Sequence, residues 1–196
     1  MIRALGVCVL LVFAAALMAA PLQDEQSRYV VKTSSKIEFH ASSTLAKVVG
    51  VFHSWDADMK VPAGKFADAS LMLEIEAASV STGSGLRDKE LKGKNFFAVQ
   101  EHPKIRFASR SITAGDAPTK FHMDGELTIR GITQPVPVSV TLLRQDDGHE
   151  WIDGSFSFNR RDFEMTHNLP FDKIANIVVV QFHLDTVNGI APVAQN

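Results

Sequence analysis

SVSTGSGLRDKELKGKNFFAVQEHPKIRFAS, residues 79–109, is the one long interruption in a chain that otherwise alternates apolar and polar side chains. It reads as a strand end, a turn, a short charged helix around residues 84–92, a double phenylalanine, and a new strand opened by His102-Pro103. Ser84 stands where a helix N-cap belongs, and its hydroxyl is expected to cap the first turn. Phe96 and Phe97 are adjacent, so in a regular element they cannot share one face. One is expected to plug inward and the other to cover the outside.

On either side of this insert the period is two. Ile37 and Phe39 oppose Lys36, Glu38 and His40, and Leu71, Leu73 and Ile75 oppose Met72, Glu74 and Glu76. Such alternation marks strands with one buried face. Val48, Gly50 and Phe52 form a strand that Trp55, Ala57 and Met59 continue after a bulge at His53-Ser54, with Gly50 read as a site of bulging or coiling. The same pattern returns at Ile105–Phe107, Phe121–Ile129, Val136–Leu142, Ile152–Phe158 and Ile177–Asp185. Gln23–Ser27 reads as a flexible lead-in, Arg160–Phe163 as the entry to a polar stretch running to Lys173, and residues 188–196 as a flexible tail. About eight strands, short turns, one helix and no internal repeat make one all-β domain over residues 28–187. Up-and-down order suits an eight-stranded barrel that can hold a small ligand. Periodicity alone leaves a sandwich open.

The N-terminus stands apart. Arg3 precedes an apolar run from Leu5 to Met18, followed by Ala19-Ala20-Pro21. Residues 1–20 read as a secretory signal peptide, with retention as an anchor the alternative. The only cysteine, Cys8, lies inside it, so the exported chain is expected to have no disulfide and no thiol chemistry. A net charge of -2 gives no reason to expect nucleic acid or an anionic membrane as a partner.

Motifs for chemistry are missing. The seven histidines, at 40, 53, 102, 122, 149, 167 and 183, show no metal-ligand spacing. There is no nucleophile elbow, phosphate loop or dinucleotide fingerprint. No cofactor, metal or catalytic residue is expected. An enzyme acting on a lipid would need a histidine such as His102 or His122 beside a carboxylate, and a filled structural barrel is the other rival. The inward faces instead offer hydrocarbon: Phe39, Phe52, Trp55, Leu71, Leu73 and Ile75 on early strands, Phe96 and Phe97 at the barrel end, then Phe107, Phe121, Met123, Leu127, Phe156 and Phe158. Burying roughly 600 Å² of a lipid tail supplies about 15 kcal/mol gross at about 25 cal/mol per Å². Of this, on the order of 4–15 kcal/mol goes to ordering the tail and immobilising the molecule. Arg87-Asp88-Lys89-Glu90 reads most simply as a solvated helix face, the sharper reading making Arg87 or Asp88 a helix latch or polar mouth contact. Arg161 and Asp162 read as an ion pair at the rim, with a ligand contact the alternative.

Several of these pieces form a recognisable set: Ser79-Val80-x-Thr82-Gly83, Arg87-Asp88, Leu91, Phe96-Phe97, Pro103-x-Ile105-x-Phe107-x-Ser109, the run Leu127-Thr128-Ile129-Arg130-Gly131-Ile132-Thr133, and Arg161-Asp162-Phe163. Over about Tyr29–Thr186 the chain resembles the YceI-like polyisoprenoid-binding family of periplasmic proteins. The resemblance implies an extended lipocalin-like antiparallel barrel holding a polyprenyl or quinone-type isoprenoid lipid, with no reaction and no metal. Two features depart from the family pattern. The chain has Glu90-Leu91 where the family commonly has His-Leu, and Ser42-Ser43 where a histidine often follows the first-strand Phe. A homodimer and transient contact with a membrane or membrane proteins are compatible with an extended barrel whose rim is apolar.

Overall fold

A computed structural model describes residues 25–62, 65–144, 149–168 and 172–188. Residues 1–20, expected to be a signal peptide, and the tail beyond Asn188 lie outside the described residues. Eleven strands run in chain order: β1 (Glu25–Val30), β2 (Lys36–Ser42), β3 (Lys47–Phe52), β4 (Trp55–Pro62), β5 (Ser70–Glu76), β6 (Val80–Ser81), β7 (Lys104–Ala114), β8 (Lys120–Ile129), β9 (Ile132–Arg144), β10 (His149–Asn159) and β11 (Ile177–Asn188). Among the described residues there is one α-helix, α1, spanning Gly85–Lys92.

Eleven strands make eight staves because three staves are interrupted. A 3-10 turn at Lys32–Ser34 divides β1 from β2, the break at His53-Ser54 divides β3 from β4, and a 3-10 turn at Ala77–Ser79 divides β5 from β6. Phe52 and Trp55 are both buried although three residues apart, which an unbroken period of two forbids. All neighbours are antiparallel, and β11 closes the barrel by pairing with β10 on one side and with β1 and β2 on the other. Closure leaves only the two-residue β6, paired with β3 alone, at an end of the strand order.

Two sequence expectations are corrected. Gln23–Ser27 is not a lead-in throughout: β1 begins at Glu25, which pairs with Pro62. Gly50 is not at a bulge: it sits in regular register opposite Phe39, between the Val49–His40 and Val51–Glu38 pairs. Its lack of a side chain serves a close approach, taken up below.

The two ends of the barrel differ. One carries α1, the 43–46 loop, the β8–β9 turn and residues 160–168 and 172–176. At that turn Arg130 and Gly131 both adopt positive φ, 55° and 74°, as a two-residue hairpin demands. The Arg130 guanidinium reaches past the turn and donates to the carbonyls of Lys94 (2.6 Å) and Phe96 (2.7 Å). A residue forced by turn geometry thus also pins the insert to the barrel end. The opposite end is filled. Phe66, on a 3-10 turn at Phe66–Asp68, packs against Phe121 with ring centroids 4.7 Å apart, above a layer containing Met59, Ile112, Met123 and Ile152, all at most 7% exposed.

Candidate functional site

The end carrying α1 encloses a cavity of about 520 Å³. Parity along the staves builds it. Ile37 and Phe39 of β2, Phe52 of β3, and Leu71, Leu73 and Ile75 of β5 turn inward from one side. Phe107 of β7, Leu127 of β8, Val138 of β9, and Phe156 and Phe158 of β10 close the other. Alternate β11 residues Val178, Val180, Phe182 and Leu184 complete the wall. A volume of this order falls in the roughly 300–1,000 Å³ range of ligand pockets.

Three expected lining residues fall elsewhere. Trp55 is buried beside the cavity but does not line it; its ring lies under the Lys32 ammonium, 5.9 Å from the centroid. Phe121 and Met123 belong to the filled end. They share their strand's inward parity with Leu127, but their depth along the barrel differs, and periodicity carries no information about depth. The cavity is therefore blind. Met59, Met123 and Ile152 are buried but outside the cavity lining, next to their cross-strand partners Leu71, Val138 and Leu184, the deepest wall residues. They so bound the cavity toward the filled end as its floor.

Phe96 and Phe97 correct the expected division of labour. Both are buried, and both line the cavity. The segment is a succession of turns, neither helix nor strand, so the alternation rule does not bind it. Phe97 meets Phe39 and Phe52 at centroid distances of 6.5 and 5.8 Å, with Phe39 and Phe52 themselves 5.8 Å apart. This three-ring cluster walls one side in edge and tilted geometries that aromatic pairs favour.

Glycines set how the other rings lie. A Cβ at Gly50 would overlap the Phe39 ring, one at Gly125 the Phe107 ring, and one at Gly154 the Phe182 ring, each far inside van der Waals contact. Three wall phenylalanines thus lie flat across strand glycines, keeping their bulk against the wall and out of the cavity centre.

Polar groups gather at the mouth. Ser42, Ser43, Ser84, Arg87, Glu90 and Asp172 reach the cavity there. Asp172 accepts from the Thr44 hydroxyl (2.9 Å) and the Leu45 amide (3.3 Å). Burial opposes its ionisation, but hydrogen bonds from Ser43, Thr44 and Leu45 outweigh that and hold its carboxyl below the usual range. Asp88 does not line the cavity. Its Oδ1 accepts from the Thr82 amide (2.8 Å) and hydroxyl (2.6 Å), and those bonds hold its carboxyl below the usual range. It is the latch between α1 and β6. Ser84 occupies the N-cap position, but its hydroxyl makes no capping bond.

Arg161 and Asp162 do not form the expected rim pair. Arg161 Nε donates to Asn176 Oδ1 (3.0 Å), and Asp162 lends only its backbone carbonyl to Gln134. Of the two adjacent arginines, the one that reaches the cavity is Arg160, 2% exposed. Its Nε donates to Ala175 O (3.1 Å), Nη1 to His167 O (3.0 Å) and to Met165 O, and Nη2 to Asn168 Oδ1 (3.0 Å) and Ile174 O (3.1 Å). All five guanidinium N–H groups are used, each on a neutral acceptor. Burial, and after it the like charge of Arg161, lowers its pKa, yet an arginine stays protonated. Arg160 therefore fastens both flanks of the 165–175 segment to the barrel, and Ile174 pairs with Ser43 to continue the rim. The parity of Phe156 and Phe158 already pointed residue 160 inward, and that was the signal available in the sequence.

Neither His102 nor His122 lines the cavity: His102 lies beside the β8–β9 turn at Gly131, and His122 pairs on the outer face with Ser139.

Comparison with known proteins matches this architecture. A solved structure of BcnA from Burkholderia cenocepacia superposes with a TM-score of 0.74 at 26% identity, covering 80% of this chain and 99% of that one. A polyisoprenoid binding domain from Saccharophagus degradans, implicated in plant cell wall breakdown, superposes with a TM-score of 0.64 at 15% identity over 83% and 98% of the two chains, a likeness of fold. A UPF0312 protein of Pseudomonas fluorescens is 32% identical over 126 residues, 59% of this chain and 63% of its own length. One from Pseudomonas savastanoi is 29% identical over 93 residues, 47% and 48% of the two chains. The match thus spans about half to two-thirds of these relatives. The model of the YceI-like domain matches residues 29–186, from the end of β1 to within β11, and the chain belongs to that family.

Proposed function

We propose that the protein binds, stores or transports a long-chain isoprenoid lipid of polyprenyl or quinone type in the periplasm, without catalysing a reaction on it. The observation that carries this reading is the blind cavity, walled by hydrocarbon with its polar side chains confined to the mouth. Such a site attracts a tail through apolar burial and gives it one way in. The tail lies against Phe39, Phe52, Phe97, Phe107, Phe156 and Phe158, and the headgroup stays with Arg87, Glu90 and Asp172. The fold neighbour from Saccharophagus degradans, a polyisoprenoid binding domain, supports the ligand class. The signal-like segment at residues 1–20 supports the compartment.

The test is organic extraction of the purified protein followed by mass spectrometry, with uptake of a long-tailed quinone by the stripped protein. Co-purified isoprenoid and saturable uptake are expected. An extract free of lipid together with no uptake refutes the proposal.

A further inference from the structure

Seven large apolar side chains are exposed among the described residues, and five of them stand at the mouth end: Leu45, Val49, Leu86, Ile177 and Val179. Leu45, on the loop between β2 and β3, is 75% exposed, and Leu86, in the first turn of α1, is 83% exposed. Leu86 also lines the cavity, so the exposed surface runs unbroken into the buried one. Val49 and Val179 both pair with His40, which places them in one row on the outer wall below Leu45. Single exposed apolar residues need no explanation, but five of seven around one opening do.

The charge at this end differs from that of the whole chain, which is -2. Arg87, Lys89, Lys92 and Lys94 outnumber Asp88 and Glu90 on and after α1, and Asp88 is engaged with Thr82. Lys47 follows Leu45 by two residues, and Lys173 is bonded through its backbone to Thr44 beside it, against one carboxylate there, Asp172, which is engaged with Thr44 and Leu45. Exposed leucines with an excess of lysines on the same segments suit an interface where apolar chains lie under anionic headgroups.

We propose that the cavity mouth docks on the surface of an anionic phospholipid bilayer, with Leu45 and Leu86 entering the headgroup layer and the surrounding lysines facing phosphate. This rests on the reading that the cavity takes a lipid: a lipid leaving such a bilayer would meet apolar side chains from the surface to the cavity. A second copy of the chain is a poorer occupant. A two-fold interface through this patch sets the same lysines of both copies against each other.

The experiment is flotation of the protein with phosphatidylcholine vesicles, with and without phosphatidylglycerol. Partitioning is expected only with phosphatidylglycerol, weakening as salt rises. Leu45→Asp lowers it at least tenfold, because an apolar anchor is lost and a like charge added. Lys47→Glu and Lys173→Glu each lower it by about fivefold or more. Leu45 does not line the cavity, so extraction of the Leu45→Asp protein reports its lipid content and folding separately. Partitioning that needs Leu45 upholds docking even if no lipid is extracted, a result that would defeat only the carrier reading. Failure of the parent to float, equal flotation of parent and Leu45→Asp, or a dimer that Leu45→Asp dissociates would each overturn docking.

Discussion

Replacing Gly154 by alanine asks whether a missing side chain shapes the cavity. Gly154 lies on β10, hydrogen-bonded on one side to β9 opposite Val140 and on the other to β11 opposite Phe182. Both neighbours hold the backbone, so it cannot retreat when a methyl group is added. The new Cβ lands inside the Phe182 ring, and the ring must swing off the wall. Overpacking of this kind costs about 1–3 kcal/mol. At about 2–4 °C per kcal/mol for a chain of this size, a cost near the middle lowers Tm by about 4–8 °C. If nothing occupied that space, the sign would reverse, since glycine-to-alanine in a strand favours folding by roughly 0.5–1 kcal/mol. A ring turned into the cavity also claims on the order of 150 Å³, the size of void that admits benzene, against about 520 Å³ in total. Thermal denaturation and lipid bound per mole are therefore both expected to fall. The double variant Gly154→Ala with Phe182→Leu should recover most of the stability, with a coupling of about 1 kcal/mol or more. A Gly154→Ala protein as stable as the parent, carrying the same lipid, would refute the account of the wall.

The floor, the rim strap and the acid response can be tested in the same way. Met123→Ala is expected to cost about 2–5 kcal/mol and to shift a series of isoprenoid tails toward longer ones, since the cavity then extends past Val138; unchanged tail preference would count against Met123 as floor. Arg160→Met leaves buried carbonyls without donors and is expected to destabilise by about 3 kcal/mol in chemical denaturation. Asp185, 4% exposed, accepts from Ser34 Oγ (2.6 Å) and pairs with His149 Nδ1 (2.7 Å). Burial opposes its ionisation, but the Ser34 and His149 interactions prevail and lower its pKa. Its folded pKa lies below its unfolded value of about 3.9, so its contribution is present above that pH and disappears as pH falls through the folded pKa. The Tm difference between the parent and Asp185→Asn should be widest near neutrality and shrink below about pH 4.

Much of the fold was legible because strand parity is a local property. Leu71, Leu73 and Ile75 could face inward only together, and the Phe52–Trp55 spacing announced a break before any partner strand was known. The charged helix and the glycine-ended turn at Gly131 were equally readable from short stretches. Barrel against sandwich was not, because closure rests on β11 pairing with β10 on one side and with β1 and β2 on the other. What parity could not say was depth: Leu127 and Met123 share a strand and a face, yet one lines the cavity and the other closes its floor. Nor could it choose between neighbours in irregular chain, where Phe96 and Phe97 both turn inward and Arg160, rather than Arg161, becomes the buried cation.

Taken by itself, then, the order of amino acids determined which side of each strand would leave water, because alternation needs only the next residue but one. The tertiary structure alone decided where along the barrel that apolar interior stays open and where Phe66, Phe121 and Met59 fill it. It also decided which charges would be consumed holding the rim. Those outcomes depend on residues brought together from distant staves, whose volumes either meet across the barrel or leave a gap.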